Sequence, residues 1–116
     1  MRIDIGCGSV KHPGCCGIDI QSHPEVDVVC DIDKGLPFAD QSVEFVMASR
    51  ILPYVNDFVK VMSEIYRVCA DRAVVCILAP YAHSFHHVTN PYFKQKFDEH
   101  SPRFLTEHFF QPLMAL

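Results

Sequence analysis

Residues 2–8 read Arg2-Ile3-Asp4-Ile5-Gly6-Cys7-Gly8 (RIDIGCG), a short β-branched run that breaks straight into a pair of glycines. Glycine has no Cβ, so a strand ending in Gly-x-Gly predicts a sharp backbone bend that a ligand can approach closely. Two more short β-branched runs follow, GIDI at 17–20 and VDVVCDI at 26–32, each ending in or near an aspartate. Residues 34–42 (KGLPFADQS) carry Gly35, Pro37 and Asp40 and read as a loop, and VEFVMA at 43–48 reads as a fourth strand.

Beyond that point the period changes. Val55, Phe58, Val59, Met62, Ile65, Tyr66 and Cys69 fall at helical spacing, with Asp57, Lys60, Ser63, Glu64 and Arg67 on the other side. This predicts an amphipathic helix with one buried stripe, and Asn56 is placed to cap it. Ala73–Ala79 (AVVCILA) is continuously apolar, as expected of a strand covered on both faces in a parallel sheet, and Pro80 ends it. Strands separated by crossovers imply a Rossmann-like α/β fold with a mostly parallel sheet of about five strands. At 116 residues the chain has room for one domain, 1–116. Its core is 1–80, and 81–116 forms a cover and C-terminal segment. Within that segment Thr106 is placed to cap a short helical turn limited by Pro112.

Composition narrows the function. The formal charge of -4 lies in the first half, where eight acids in residues 1–50 face only Arg2, Lys11, Lys34 and Arg50. The one basic cluster, Lys94, Lys96 and Arg103, sits among Asp98, Glu99 and His100, so no nucleic-acid backbone is expected as a partner. The opening MRIDIGCG is not a signal segment and no run is long enough to span a bilayer, which points away from membranes and toward the cytoplasm. There, Cys30, Cys69 and Cys76 read as small buried hydrophobes, while Cys7, Cys15 and Cys16 fall in loops, where thiols are more reactive.

Three neighbouring strand ends describe a nucleoside pocket at the carboxyl edge of a parallel sheet. The first supplies the Gly6-Cys7-Gly8 bend. The second ends at Asp19, placed to accept hydrogen bonds from a ribose diol. The third ends at Asp31-Ile32, a carboxylate for an adenine amine and an apolar face for its ring. The bland alternative is that Asp19 and Asp31 merely terminate strands. A dinucleotide fingerprint would need a third glycine opening a helix that seats a pyrophosphate. Here that position is Lys11, followed by His12-Pro13-Gly14, which disfavours a helix. S-adenosylmethionine has no phosphate and carries a cationic sulfonium, so it suits an acidic half-domain better.

The stretches DIGCG (4–8), GIDI (17–20), DIDKGLPFADQSVEFVMAS (31–49), VNDFVKVMSEIYRVC (55–69) and AVVCILAP (73–80) resemble the class I S-adenosylmethionine-dependent methyltransferases, in particular the small type-11-like group. The segment HHVTNPYFKQKFDEHSPRFLT is similar to the stretch lying over the active site in that family. The resemblance implies that Asp4, Gly6 and Gly8, with Cys7 between the glycines, meet the methionine part of the cofactor. Asp19 and Ile20 would meet the ribose, Asp31 and Ile32 the adenine, and Ser49 the methionine near the transferred methyl. The chain departs from the pattern in three places. Ser49-Arg50-Ile51-Leu52-Pro53-Tyr54 stands where the family often has a histidine, Ala70-Asp71-Arg72 replaces Pro-Gly-Gly, and the first helix is reduced to a loop. The resemblance also implies a sheet shortened relative to the seven-strand methyltransferase fold, with the chain ending where the last antiparallel pair would begin.

Methyl transfer needs nucleophile and methyl held in line, so no fixed triad is expected. A general base helps a hydroxyl acceptor, and His83, His86 and His87 are the candidates, with Tyr54 and Tyr81 as wall residues. The same histidines, with or without His100, lack the paired spacing of a zinc site, as do Cys15-Cys16 with His12, and no metal is expected. Tyr92, Phe93, Phe97, Phe104, Phe109 and Phe110 are candidates for an acceptor pocket or for core cover. Phe109 and Phe110, with Leu113, Met114 and Leu116, offer an apolar patch to a partner. An unpaired fifth strand would favour a homodimer. The expected function is transfer of a methyl group from S-adenosylmethionine to a small-molecule acceptor, with S-adenosylhomocysteine as product. The alternatives are a module that binds either compound without turnover, and a nucleotide-binding protein of another kind.

Overall fold

Ile3 and Ile5 alternate along β1 (Arg2–Ile5) with both side chains fully buried, and everything else in the fold is arranged around that strand. The computed structural model describes residues 1–105, save the side chains of His86, Arg103 and Phe104. Around β1 lie β2 (Cys16–Asp19), β3 (Val28–Val29), β4 (Val43–Ser49) and β5 (Cys69–Leu78), with α1 (Phe58–Val68) joining the last two and α2 (Phe85–Thr89) after them. All four pairings are parallel and the order is β3-β2-β1-β4-β5. The predicted five-strand Rossmann-like sheet is therefore present.

Register explains the core. Ile5 pairs with Ile18 and with Ala48, Ile3 with Val46, and Ala48 with Ile77, so these side chains share one face. Val61, Ile65 and Val68 of α1 close over that face together with Leu36, Leu52 and Val55. The opposite face has thinner cover. Among the described residues the loop 6–15 reaches it, laying His12 on the Phe45 ring at 5.5 Å beside the Arg2 guanidinium, 4.2 Å from the same ring.

That asymmetry corrects the reading of β5. Its apolar run is not covered on both faces, because α1 is the only helix over the sheet among the described residues. Val74 stays 59% exposed and Leu78 51%. Three boundaries also move. Asp57, not Asn56, caps α1, its carboxylate accepting from the Lys60 N–H at 3.1 Å; the Asn56 backbone and side-chain amides instead donate to Asp33. Val55 lies before the helix, buried behind the 3₁₀ turn Leu52–Tyr54. The strand expected over 26–32 shrinks to Val28–Val29, since Asp27 is drawn aside by the Gly17 N–H (2.8 Å) and Lys11 (2.9 Å), and Asp31 caps a 3₁₀ turn at Ile32–Lys34.

The loop 6–15 holds no helix, as Pro13 and Gly14 predict. Ala70-Asp71-Arg72 lies within β5: Val43 pairs with Cys69 and Phe45 with Val74, so the strand bulges here, with Arg72 at φ 65°. Residues 90–97 strap across the 52–56 turn. The Lys94 and Gln95 N–H groups both donate to the Pro53 carbonyl (2.6 and 3.0 Å), and Phe97 packs edge-on against Phe58. The cap expected at Thr106, and the patch formed by Phe109, Phe110, Leu113, Met114 and Leu116, lie outside the described residues.

Candidate active site at the carboxyl edge of the sheet

The bend after β1 is built from backbone. The Gly6 and Cys7 N–H groups both donate to the Ile18 carbonyl (2.7 and 3.1 Å), which folds the chain back across the end of β2. Gly6 and Gly8 take positive φ angles of 69° and 58°, which residues with a Cβ rarely adopt. A Cβ on Gly6 would also lie 2.6 Å from Cγ1 of Ile51, so the bend is closed from above by the loop after β4.

Asp19 locks the bend to β2. One carboxylate oxygen accepts from the Gly8 N–H at 2.8 Å and the other from the Gln21 N–H at 3.0 Å. A carboxylate offers about four acceptor positions, so roughly two remain. Asp31 gives one oxygen to the Asp33 N–H at 3.0 Å, and its Oδ2 meets no donor among the described residues. These strand ends converge on a cavity of about 150 Å³. Of the predicted cofactor residues, Gly6, Asp19, Ile20, Asp31 and Ile32 line it. Asp4, Cys7, Gly8 and Ser49 do not. Asp4 is turned to the loop, where Oδ2 accepts from the His12 N–H at 2.7 Å, while its buried Oδ1 has no partner among the described residues. Cys7 is buried, Gly8 gives its N–H to Asp19, and Ser49 is exposed at the end of β4.

Five residues complete the cavity: Cys30 and Asp33 beside the β3 end, and Ile51, Tyr54 and Val55 from the facing wall. Tyr54 is the wall residue the sequence suggests. Val55 hides in the helical stripe that its spacing mimics, and Ile51 has no sequence signal beyond facing a glycine. Asp33 is legible only as the second acid of Asp31-Ile32-Asp33. Among the described residues the lining thus carries three carboxylates and no lysine or arginine. A larger cavity of about 610 Å³ lies away from these strand ends, between Arg67 and the β5 bulge.

The thiols expected in loops lie deeper than that placement implies. Cys7 and Cys15 are buried, and Cys16 begins β2. Burial pushes all three above the ordinary thiol value, and for Cys7 the charges of Asp4 and Asp19 add to it. A raised pKa leaves less thiolate to react. Cys30 is raised likewise, by burial and then by Asp31.

Two of the histidines expected as bases, His83 and His87, stand apart from the cavity. His83 is on the surface, its Nε2 4.0 Å from Asp98. His87 is buried against Phe93, ring centroids 5.3 Å apart, with no partner for Nδ1 among the described residues; Phe93 in turn meets Tyr54 at 4.9 Å. His86 lies on the same short helix α2. The strap over the 52–56 turn holds α2 on the far side of Tyr54, which is why neither His83 nor His87 lines the site. Among the described residues no three His, Cys, Asp or Glu side chains are grouped to hold a metal ion. No helix among them is long and apolar enough to cross a membrane.

A parallel α/β sheet with a cavity at the carboxyl ends of β1, β2 and β3 defines a Rossmann-like fold. The family model described as a methyltransferase domain matches residues 3–77. The chain belongs to the class I S-adenosylmethionine-dependent methyltransferase family. No curated protein matches it. Among solved structures it is similar to a methyltransferase in a complex with the Haloferax volcanii Trm112 methyltransferase activator, at 18% identity and a TM-score of 0.68. The likeness covers 94% of this chain and 58% of that one, and it is a likeness of fold.

Proposed function

We propose that this chain binds S-adenosylmethionine in the carboxyl-edge cavity and transfers its methyl group to a small-molecule acceptor, leaving S-adenosylhomocysteine. The observation that carries the reading is the lining: three carboxylates and apolar walls, with no described lysine or arginine side chain to receive a phosphate. Anionic nucleotides are repelled there, whereas a nucleoside bearing a sulfonium and an ammonium is attracted. The cavity is smaller than the roughly 300–1,000 Å³ of pockets that enclose a whole ligand, so it fits the nucleoside end.

The residues fit that group. The free lone pairs of Asp19 accept the ribose hydroxyls, and Asp31 Oδ2 accepts the adenine amine. Ile20, Ile32, Ile51 and Val55 cover the ring. Asp4 and Gly8 lie outside this lining and Ile51 covers Gly6, so the nucleoside end alone is held here. When bound, the cofactor supplies a methyl carbon already activated by its sulfonium. The chain's part is then to orient and to exclude water.

A second reading, a module that holds the cofactor or its product without turnover, is favoured by one observation: no histidine among the described side chains lines the cavity. On either reading the six free thiols suit the reducing cytoplasm, and the open edge of β5 suits a second copy of the chain. Calorimetry with S-adenosylhomocysteine, NAD and ATP tests the site. Binding of the first alone is expected, and Asp19→Ala should weaken it by about 1–3 kcal/mol, the scale of hydrogen bonds to a charged group. Binding of NAD or ATP in place of S-adenosylhomocysteine overturns both readings. Release of S-adenosylhomocysteine with a mixture of small-molecule acceptors then separates enzyme from module.

A further inference from the structure

A second cavity, of about 300 Å³, opens at the carboxyl end of β5. Its body is apolar: Phe58 from the first turn of α1, Ile77 and Ala79 from the end of β5, and Phe97 from the strap. The edge-on Phe58–Phe97 pair, with centroids 5.2 Å apart, fixes one wall. Polar groups gather at one rim. Tyr81 bridges to Phe97 there, and Asp98 follows at once, its position set by the Ser101 hydroxyl, which meets the Asp98 N–H at 2.9 Å.

That rim is negative. The charge of Glu99 beside Tyr81, followed by burial, pushes the phenol above its ordinary value, so Tyr81 stays a neutral hydroxyl near pH 7. No lysine or arginine is among the described side chains lining the cavity. Asp98 Oδ1 accepts from the His100 N–H at 2.8 Å, and His83, 4.0 Å from Oδ2, is 71% exposed, so solvent screens it and acceptor positions remain on the carboxylate. A cavity of this size with an apolar body and one anionic rim selects by shape and charge together.

We infer that the cavity at the carboxyl end of β5 binds a small hydrophobic amine, with its ring or chain between Phe58, Ile77 and Phe97 and its ammonium on Asp98. This site is distinct from the carboxyl-edge cavity of Gly6, Asp19 and Asp31, and it stands whether or not that cavity takes S-adenosylmethionine.

The test is titration of the full chain, followed by NMR, with 2-phenylethylamine and with its neutral counterpart 2-phenylethanol. The amine should bind saturably and about tenfold more tightly than the alcohol, the scale of a hydrogen bond to a charged partner. Asp98→Asn should remove that difference, and Ala79→Leu, which fills the cavity, should abolish binding of both. Should Ala79→Leu fail to fold, amide shifts in the unaltered chain carry the same information. Perturbations confined to residues 77–81 and 97–102 are expected. Equal affinity for amine and alcohol, no binding of either, or shifts centred elsewhere overturns the inference.

Discussion

Gly6 answers two demands at once, a φ of 69° and a neighbour, Ile51, whose side chain occupies the space a Cβ would need. The first demand is intrinsic to the backbone, and the second depends on a residue 45 positions away in the sequence. A double-mutant cycle separates them. Gly6→Ala should lower stability by about 1–3 kcal/mol, as expected for a strained backbone plus a steric clash. With Ile51→Ala already in place, the clash is gone and only the backbone cost remains, so the same substitution should cost clearly less. Urea unfolding of the four proteins measures this. Strictly additive costs would show that Ile51 does not close the bend. Gly8 makes a useful contrast: it shares the positive φ, yet nothing lies within 4 Å of where its Cβ would be. Gly8→Ala should therefore show no coupling to Ile51.

At the scale of elements, the polar side of α1 turns out to be a clasp. Glu64 accepts from the Leu36 N–H at 2.9 Å, and Arg67 donates to the Leu36 and Phe38 carbonyls (2.9 and 2.8 Å) and to Asp40 (2.7 Å). The loop before β4 is thereby fastened to the helix that follows it. Arg67, and then the Leu36 amide, hold Glu64 at about 2 instead of 4.5. A carboxylate held down in the folded state stabilises it fully above the unfolded value, and that contribution is lost as pH falls through the folded one. The urea midpoint should therefore drop as pH falls from 4.5 to about 2. Glu64→Gln should start lower and lose less over that window; parallel pH curves for the two proteins would remove Glu64 from the account.

The same clasp shows where sequence reading stops. The period of Phe58, Met62, Ile65 and Cys69 reveals a helix and its buried side, but it cannot tell a solvated Glu64 from one bonded to a loop 28 residues earlier. Local signals sufficed for β1, β2, β4, α1 and the Gly6 bend, because burial on one face imposes a period and a bend imposes glycine. Partnership across the chain left no such trace. So the facing wall of Ile51 and Val55, the thin cover over β5, and the withdrawal of His83 and His87 from the site emerge only in three dimensions.

Taken as a whole, the sheet has two very unequal edges. β3 is two residues long, a blunted edge of the kind that discourages pairing, whereas β5 runs ten residues beside β4 and pairs with no further strand among the described residues. It has Val74 and Leu78 exposed on one face and Val75 partly exposed on the other. Its charges, Asp71 and Arg72, sit only at the bulge near its amino end, leaving Ala73–Leu78 without the charged side chains that usually guard an edge. A strand able to pair with its own copy does so about a two-fold axis, each β5 antiparallel to the other, giving one continuous ten-stranded sheet. The expected outcome is a dimer at micromolar concentrations by sedimentation velocity. Val74→Lys combined with Leu78→Lys should return it to monomer, because the added charges would lie close to their symmetry mates, while cooperative unfolding persists. If the unaltered chain sediments as a monomer throughout, the edge is not paired by a second copy. If the charged variant dimerises as well as the original, the contact lies on another surface.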